Sequence, residues 1–144
     1  VRPTGLPAGG MRGVKLADEN DRVVGANVVV PDQYVWTMTD DGIAKVSPMS
    51  DFPSQGRAGG GVIAMRLTKG SKELAVTPNG RLDDNVIVLT NRNKPYYMRL
   101  GRAPQVIRGR PGGDIIISVE EKQHIAAVVP YQPLFTIPEA EPEA

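Results

Sequence analysis

Residues 35–42 read Val-Trp-Thr-Met-Thr-Asp-Asp-Gly, and residues 86–93 read Val-Ile-Val-Leu-Thr-Asn-Arg-Asn. In each copy an apolar, β-branched run ends at a threonine and is followed by a three-residue turn sequence. Such a run predicts a strand. The turn predicts a hairpin, because glycine and asparagine accept the positive φ that a tight turn requires. The same hairpin is therefore expected twice, and we call the distance from Val35 to Val86 the repeat period.

A glycine-rich motif recurs with the same period. Residues 4–16 align with residues 55–67, so that Gly5, Gly10 and Leu16 fall on Gly56, Gly61 and Leu67 at that spacing. A third copy begins at residue 108 with Arg-Gly-Arg-Pro-Gly-Gly, and we align it so that Arg110 falls where Arg57 does. These repeats predict propeller-like blades of four antiparallel strands, two to three repeats of about 50 residues. The boundaries are about 4–54, 55–107 and a partial copy at 108–135, within a repeat region of residues 1–135.

The remaining secondary-structure signal is almost entirely strand, and no stretch shows the 3.6-residue period of a helix. The fold class is therefore predicted to be all-β. Asn79 and Gly80 are expected to form a further hairpin turn. The predicted strands are residues 13–16, 23–30, 34–39, 62–67, 85–90, 96–100, 115–119 and 125–129.

Charge is distributed unevenly along the 144 residues. The net charge is −2 over residues 1–51, +8 over residues 52–113 and −5 over residues 114–144. A basic centre between acidic ends indicates a polyanionic partner, although a solvated basic face is the alternative. The chain has no cysteine and no apolar run of about 18 residues, which excludes disulfides and thiolate metal sites and argues against a membrane partner. The absence of cysteine also fits a reducing cytosol.

The order of these motifs resembles the C-terminal domain of the A subunit of bacterial DNA gyrase and topoisomerase IV, over about residues 4–135. That family has a wrapping box that reads Gln-Arg-Arg-Gly-Gly-Lys-Gly. Residues 55–61 match it at Gln55, Arg57, Gly59 and Gly61 and depart from it at Gly56, Ala58 and Gly60. The resemblance implies a β-pinwheel that wraps DNA round its rim and, here, a degenerate wrapping box.

The resemblance also implies a function and its partners. It implies a non-catalytic module of a type IIA topoisomerase that binds double-stranded DNA through the phosphate backbone, without reading sequence. Further partners would be the ATPase subunit of the topoisomerase and the remainder of its A subunit, in the bacterial cytoplasm and on the nucleoid. The candidate phosphate contacts are Arg57, Arg110, Arg108, Arg99, Arg102, Arg92, Lys94 and Lys45.

Motifs for catalysis or cofactor binding are not found in the sequence. His124 is the only histidine, and no glycine-rich segment ends in the Gly-Lys-Ser/Thr of a phosphate-binding loop. We therefore predict no catalytic residue, no metal and no cofactor. The alternative function is a propeller-type protein–protein interaction module with no role in nucleic-acid binding.

Two further expectations concern the ends of the chain. Residues 136–144 are acidic, proline-rich and poor in apolar residues, which predicts a disordered tail that either competes with DNA or only solubilises the chain. The first and third copies of the repeat are incomplete, so exposed strand edges are expected. Either the partial copies complete one blade, or the isolated chain self-associates, which we favour.

Overall fold

The computed structural model describes residue 5 and residues 8–131, and this part of the chain is all-β, as predicted. Single 3-10 turns at Met49–Asp51 and Leu100–Arg102 follow the second and sixth strands. Neither the length nor the apolar character of a membrane-spanning helix is found in the described part of the chain. The strands are β1 (Tyr34–Thr39), β2 (Ile43–Pro48), β3 (Leu74–Val76), β4 (Asn79–Gly80), β5 (Asn85–Thr90), β6 (Pro95–Arg99), β7 (Asp114–Ile115) and β8 (Ile125–Tyr131).

Both predicted hairpins are present, one repeat period apart. β1 pairs with β2 in antiparallel register, and the turn is closed by the Gly42 N–H, which donates to the Thr39 carbonyl at 3.1 Å. β5 pairs with β6, where the Asn93 N–H donates to the Thr90 carbonyl at 2.9 Å. Gly42 has φ +89° and Asn93 has φ +57°. The two turns therefore use the residue types that best tolerate left-handed backbone.

Each hairpin is extended by a strand that comes from further along the chain. β3 and β4 both pair with β1, and β7 pairs with β2, which gives the order β3-β1-β2-β7 in the first sheet. β8 pairs with β5, which gives the order β6-β5-β8 in the second sheet. β8 starts one repeat period after β3, so each hairpin is completed by a later strand in the same way.

The core lies between these sheets and is built from inward-facing residues of both hairpins. β5 alternates between partly buried and buried residues, as a strand with one covered face should. Trp36, Met38, Val46 and Val88 are fully buried. The first hairpin also buries polar residues, including Lys45 and the threonines and serine of β1 and β2.

Several strand predictions were wrong. Residues 23–30 and 62–67 form no strand, and residues 13–16 contribute a single bridge, between Val14 and Gly59. β3 was missed, and Asn79 and Gly80 form β4 rather than a hairpin turn. Residues 115–119 are also mostly irregular, because only Asp114–Ile115 pairs with β2.

Residues 23–30 form no strand because they lack, among the described residues, a hairpin with which to pair. Their counterparts in the next two copies of the repeat, β3 with β4 and then β8, become strands by pairing with a hairpin that precedes them in the chain. Residues 23–30 have no such hairpin within the described part, and Val23, Val28 and Val29 are 64%, 81% and 71% exposed. β-Branched composition alone therefore does not make a strand here. The predicted acidic tail at residues 136–144 lies outside the described residues.

Candidate nucleic-acid interface

The loop at residues 55–61 packs against the preceding copy of the repeat. The Ala58 N–H donates to the Gly13 carbonyl at 3.0 Å, and the Lys15 N–H donates to the Gly59 carbonyl at 2.9 Å. Ala58 adopts φ +59° to make this contact. The arrangement brings the exposed loop of Arg57 beside the exposed segment that carries Arg12 and Lys15. We call Arg12, Lys15 and Arg57 the first basic cluster.

The loop at residues 108–113 repeats this packing one period later. The Gly109 N–H donates to the Ala64 carbonyl at 3.1 Å, and Gly109 has φ +74°. The Arg66 side chain donates from Nε to the Gly109 carbonyl at 3.2 Å. Arg66 and Arg110 are exposed and Arg108 is half-buried. We call Arg66, Arg108 and Arg110 the second basic cluster.

These contacts correct the alignment of the third copy. Ala58 and Gly109 make the same hydrogen bond with positive φ, and they stand one repeat period apart. Arg108, not Arg110, therefore occupies the place of Arg57. From the sequence alone, either arginine of Arg-Gly-Arg could be aligned with Arg57. The hydrogen bond shared by Ala58 and Gly109 allows only one of these alignments.

Arg108 is anchored by the protein. Its N–H donates to an Asp51 carboxylate oxygen at 3.0 Å, and its Nε donates to the Asp51 carbonyl at 2.7 Å. Its Nη1 also donates to the Ile63 carbonyl at 3.1 Å. The Arg57 side chain makes a single hydrogen bond within the described residues, from Nη1 to the Met11 sulfur at 2.9 Å. Arg57 is consequently the less constrained of the two equivalent side chains.

Lys45 does not belong to the accessible surface. It is fully buried on β2, and its Nζ donates to the carbonyls of Ile107 and Arg110, both at 3.1 Å. Burial lowers the pKa of the Lys45 ammonium, Asp51 opposes that shift, and Arg108 adds to it. The prediction that Lys45 contacts phosphate is therefore not supported by this geometry, because its charge is turned inward. The sequence did not show this, since a lysine on a strand can face either side.

The four remaining candidates lie on or after the second hairpin. Arg92 is exposed in the turn, and exposed Arg99 and Arg102 border an open pocket whose lining includes Leu82. The Lys94 ammonium lies 3.1 Å from a Glu120 carboxylate oxygen, and this hydrogen bond raises the pKa of Lys94. Glu120 already partly satisfies the Lys94 charge, whereas the three arginines make no ion pair within the described residues.

Three members of the basic clusters, Arg12, Lys15 and Arg66, were not among the predicted contacts. A signal for two of them was present, because Lys15 and Arg66 occupy the same position of the repeat and are both basic. A charge that recurs at a repeat position indicates a recurring surface. The described residues contain no group of three or more histidine, cysteine, aspartate or glutamate side chains placed to hold a metal ion.

The sequence matches a known protein-family model. The model is described as the DNA gyrase C-terminal domain, beta-propeller, and it matches residues 2–29 and 33–76, together half of the chain. The chain belongs to this family. The resemblance seen in the sequence motifs is thereby confirmed.

The A subunits of bacterial gyrases match most of the chain. The gyrase A subunit of Chlamydia pneumoniae is 28% identical over 129 residues, which are 84% of this chain and 16% of that protein. The gyrase A subunit of Buchnera aphidicola subsp. Baizongia pistaciae is 32% identical over 136 residues, which are 89% of this chain and 15% of that protein. The chain therefore spans about a sixth of the length of these gyrase proteins.

Solved structures of gyrase-type C-terminal domains have the same fold. The crystal structure of the C-terminal domain of DNA topoisomerase IV aligns with a TM-score of 0.73 and 20% identity, over 83% of this chain and 37% of that one. The structure of a DNA gyrase A C-terminal domain aligns with a TM-score of 0.62 and 16% identity, over 69% and 33%. The chain therefore corresponds to about a third of each of those domains.

Proposed function

We propose that this domain binds double-stranded DNA through its phosphate backbone, independently of sequence, and wraps the DNA segment that a type IIA topoisomerase passes. The observation that carries the proposal is the packing of two arginine-bearing loops, which recurs one repeat period apart. The loops at residues 55–61 and 108–113 make the same backbone contact with the preceding repeat. Each loop presents one exposed arginine, Arg57 or Arg110. An exposed basic residue that recurs at one position of the repeat, Lys15 or Arg66, lies on the segment against which each loop packs.

The chemistry of the clusters suits a polyanion. Arg12, Lys15 and Arg57 are exposed and make no ion pair within the described residues. Cations that recur with the blades can contact successive phosphates, and each contact releases counterions from the DNA. Phosphate contacts carry no sequence information, which fits a role in holding DNA rather than reading it. Exposed arginines of the second hairpin would extend the contact, namely Arg92, Arg99 and Arg102.

The same proposal covers the wider context of the domain. Its partners would be the ATPase subunit of a gyrase-type enzyme and the remainder of its A subunit, and its location the bacterial cytoplasm on the nucleoid. The domain itself would be non-catalytic, contributing DNA binding while other parts of the enzyme break and rejoin the strands. The support is family membership together with the basic clusters described above.

Binding to duplex DNA over a salt series tests the proposal. We expect two duplexes of unrelated sequence to bind equally at low salt. The logarithm of the binding constant should fall linearly with the logarithm of salt concentration, by about 0.9 per phosphate contacted. Undetectable binding at low salt would contradict the proposal and favour a protein–protein interaction module instead.

Wrapping needs a separate readout, because binding alone does not bend DNA round a rim. A nicked plasmid can be sealed by ligase in the presence of the domain and its linking number then measured. A shift in linking number that grows with domain concentration is expected. An unchanged linking number at saturating binding would leave DNA binding intact and contradict wrapping.

A further inference from the structure

We propose that Lys45 is a positioning residue that holds the loop at residues 108–113 in the conformation that presents Arg110 to DNA. This inference rests on the proposed DNA-binding function and assigns Lys45 a role in the same interface. Lys45 Nζ donates to the carbonyls of Ile107 and Arg110, on either side of Arg108. One buried ammonium thus anchors the backbone at both ends of the segment that carries the two arginines.

Lys45 acts together with two other side chains of the first blade. The Ser47 hydroxyl donates to the Val106 carbonyl at 2.6 Å, and the Asp51 carboxylate accepts the Arg108 N–H. Side chains of β2 and its following turn therefore satisfy four backbone groups of residues 106–110. We call Lys45, Ser47 and Asp51 the loop clamp.

The burial of Lys45 indicates the role of the loop clamp. An ammonium removed from water is costly unless hydrogen bonds satisfy it, and an apolar residue would fill the space without that cost. What an apolar residue would not do is satisfy the Ile107 and Arg110 carbonyls. The contribution of Lys45 is therefore the defined conformation of the loop that presents Arg110.

The second blade does not repeat the clamp. The residues one repeat period after Lys45, Ser47 and Asp51 are Tyr96, Met98 and Arg102. A phenol, a thioether and a guanidinium replace the ammonium, hydroxyl and carboxylate. The clamp is thus a property of the first blade and of the particular loop that it holds, not a general requirement of the fold.

A double-mutant cycle on DNA affinity tests the assignment. Lys45→Met keeps an unbranched side chain that is one atom shorter and removes the donors, and we expect it to weaken DNA binding roughly three- to tenfold by loosening the loop. In an Arg110→Ala background Lys45→Met should cause little further loss, since the residue through which it acts is gone. Lys69→Met removes the same charge from an exposed turn and is the matched control.

The outcomes separate this inference from the function on which it rests. If the unmodified chain fails to bind DNA, the proposed function falls and the inference falls with it. If the chain binds DNA and Lys45→Met lowers its melting temperature without changing affinity or salt dependence, only the positioning role is overturned. If Lys45→Met lowers DNA affinity equally with and without the Arg110→Ala substitution, the positioning role is also overturned. If Lys45→Met does not fold, Ser47→Ala takes its place in the same cycle.

Discussion

Gly42, in the first hairpin turn, lies directly against the backbone of Ile117. A Cβ added at Gly42 would stand 2.0 Å from the Ile117 carbonyl oxygen. The Gly42 carbonyl in turn accepts hydrogen bonds from the N–H groups of Ile116 and Ile117, at 3.0 and 3.3 Å. The hairpin of the first repeat is therefore fixed to a segment of the third repeat through a position that has no room for a side chain.

Gly42→Ala should strongly destabilise the fold. The substitution adds a backbone clash to the strain of φ +89°, and we expect the free energy of unfolding to fall by roughly 2–4 kcal/mol. Urea unfolding followed by the fluorescence of Trp36, the single tryptophan, measures this change. Gly70→Ala is the control, because Gly70 has φ +125° but open space around it. Similar losses of unfolding free energy in Gly42→Ala and Gly70→Ala would contradict a contribution from the clash with Ile117.

Charge reversal in the loops at residues 55–61 and 108–113 should weaken DNA binding. Arg57→Glu and Arg110→Glu each remove one exposed cation of a basic cluster, so each should lower affinity for all duplexes and reduce the salt slope by about one. Filter binding over a salt series gives both quantities. Lys72→Glu reverses an exposed charge outside both clusters and serves as the control. A salt slope unchanged in both arginine variants would show that the loops do not contact phosphate.

Trp36 should contribute to stability through packing rather than hydrogen bonding. It is fully buried, and its Nε1 has no hydrogen-bond partner among the described residues. Trp36→Phe should therefore cost less than about 2 kcal/mol, whereas Trp36→Ala should cost about 3–5 kcal/mol by leaving a cavity. Circular dichroism during urea unfolding compares the two variants. An equally large loss for Trp36→Phe would indicate that the indole N–H matters.

The free energy of unfolding should depend on pH in part through Lys45. Burial lowers the Lys45 pKa in the folded chain below its ordinary value of 10.5. Between these two pKa values the unfolded chain binds more protons than the folded one, so the free energy of unfolding rises with pH in that window. Below the folded-state pKa both states are protonated and the contribution is constant.

Lys45→Met isolates this effect. The unfolding free energy of the unmodified chain minus that of the variant should increase as pH rises toward the ordinary lysine pKa. Other lysines and tyrosines titrate in both proteins and cancel in the difference. A difference that stays flat or falls with pH would contradict an unfavourable burial of the charged ammonium.

The open edge of β6 should promote self-association of the isolated chain. β2 is covered by β7, whereas its counterpart β6 is the last strand of its sheet among the described residues. Tyr97, near the middle of β6, is 65% exposed. Light scattering over a tenfold concentration range should show rising mass, and Tyr97→Lys should reduce it because charge blunts a strand edge. Leu67→Lys, outside any strand, is the control, and a constant monomer mass would contradict the expectation.

The two hairpins were predictable because their determinants are local. The turn residues around Gly42 and Asn93 accept positive φ, and each turn lies between two strands that are adjacent in the chain. Only some members of the basic clusters were predicted from the sequence. Arg57 and Arg110 stood out by motif, but Lys15 and Arg66 became part of the site only when the loops were seen to pack on the preceding repeat.

By itself the sequence determined the period, the β class, the two hairpins and the basic character of the middle of the chain, since each depends on residue type and short-range order. Tertiary structure decided which β-branched runs become strands. β8 pairs with β5 while residues 23–30 stay irregular, although the two segments are similar in composition. It also decided that Lys45 faces inward. Strand pairing and burial depend on which distant segment supplies the partner, and hydrogen bonds between distant segments are not encoded in either segment alone.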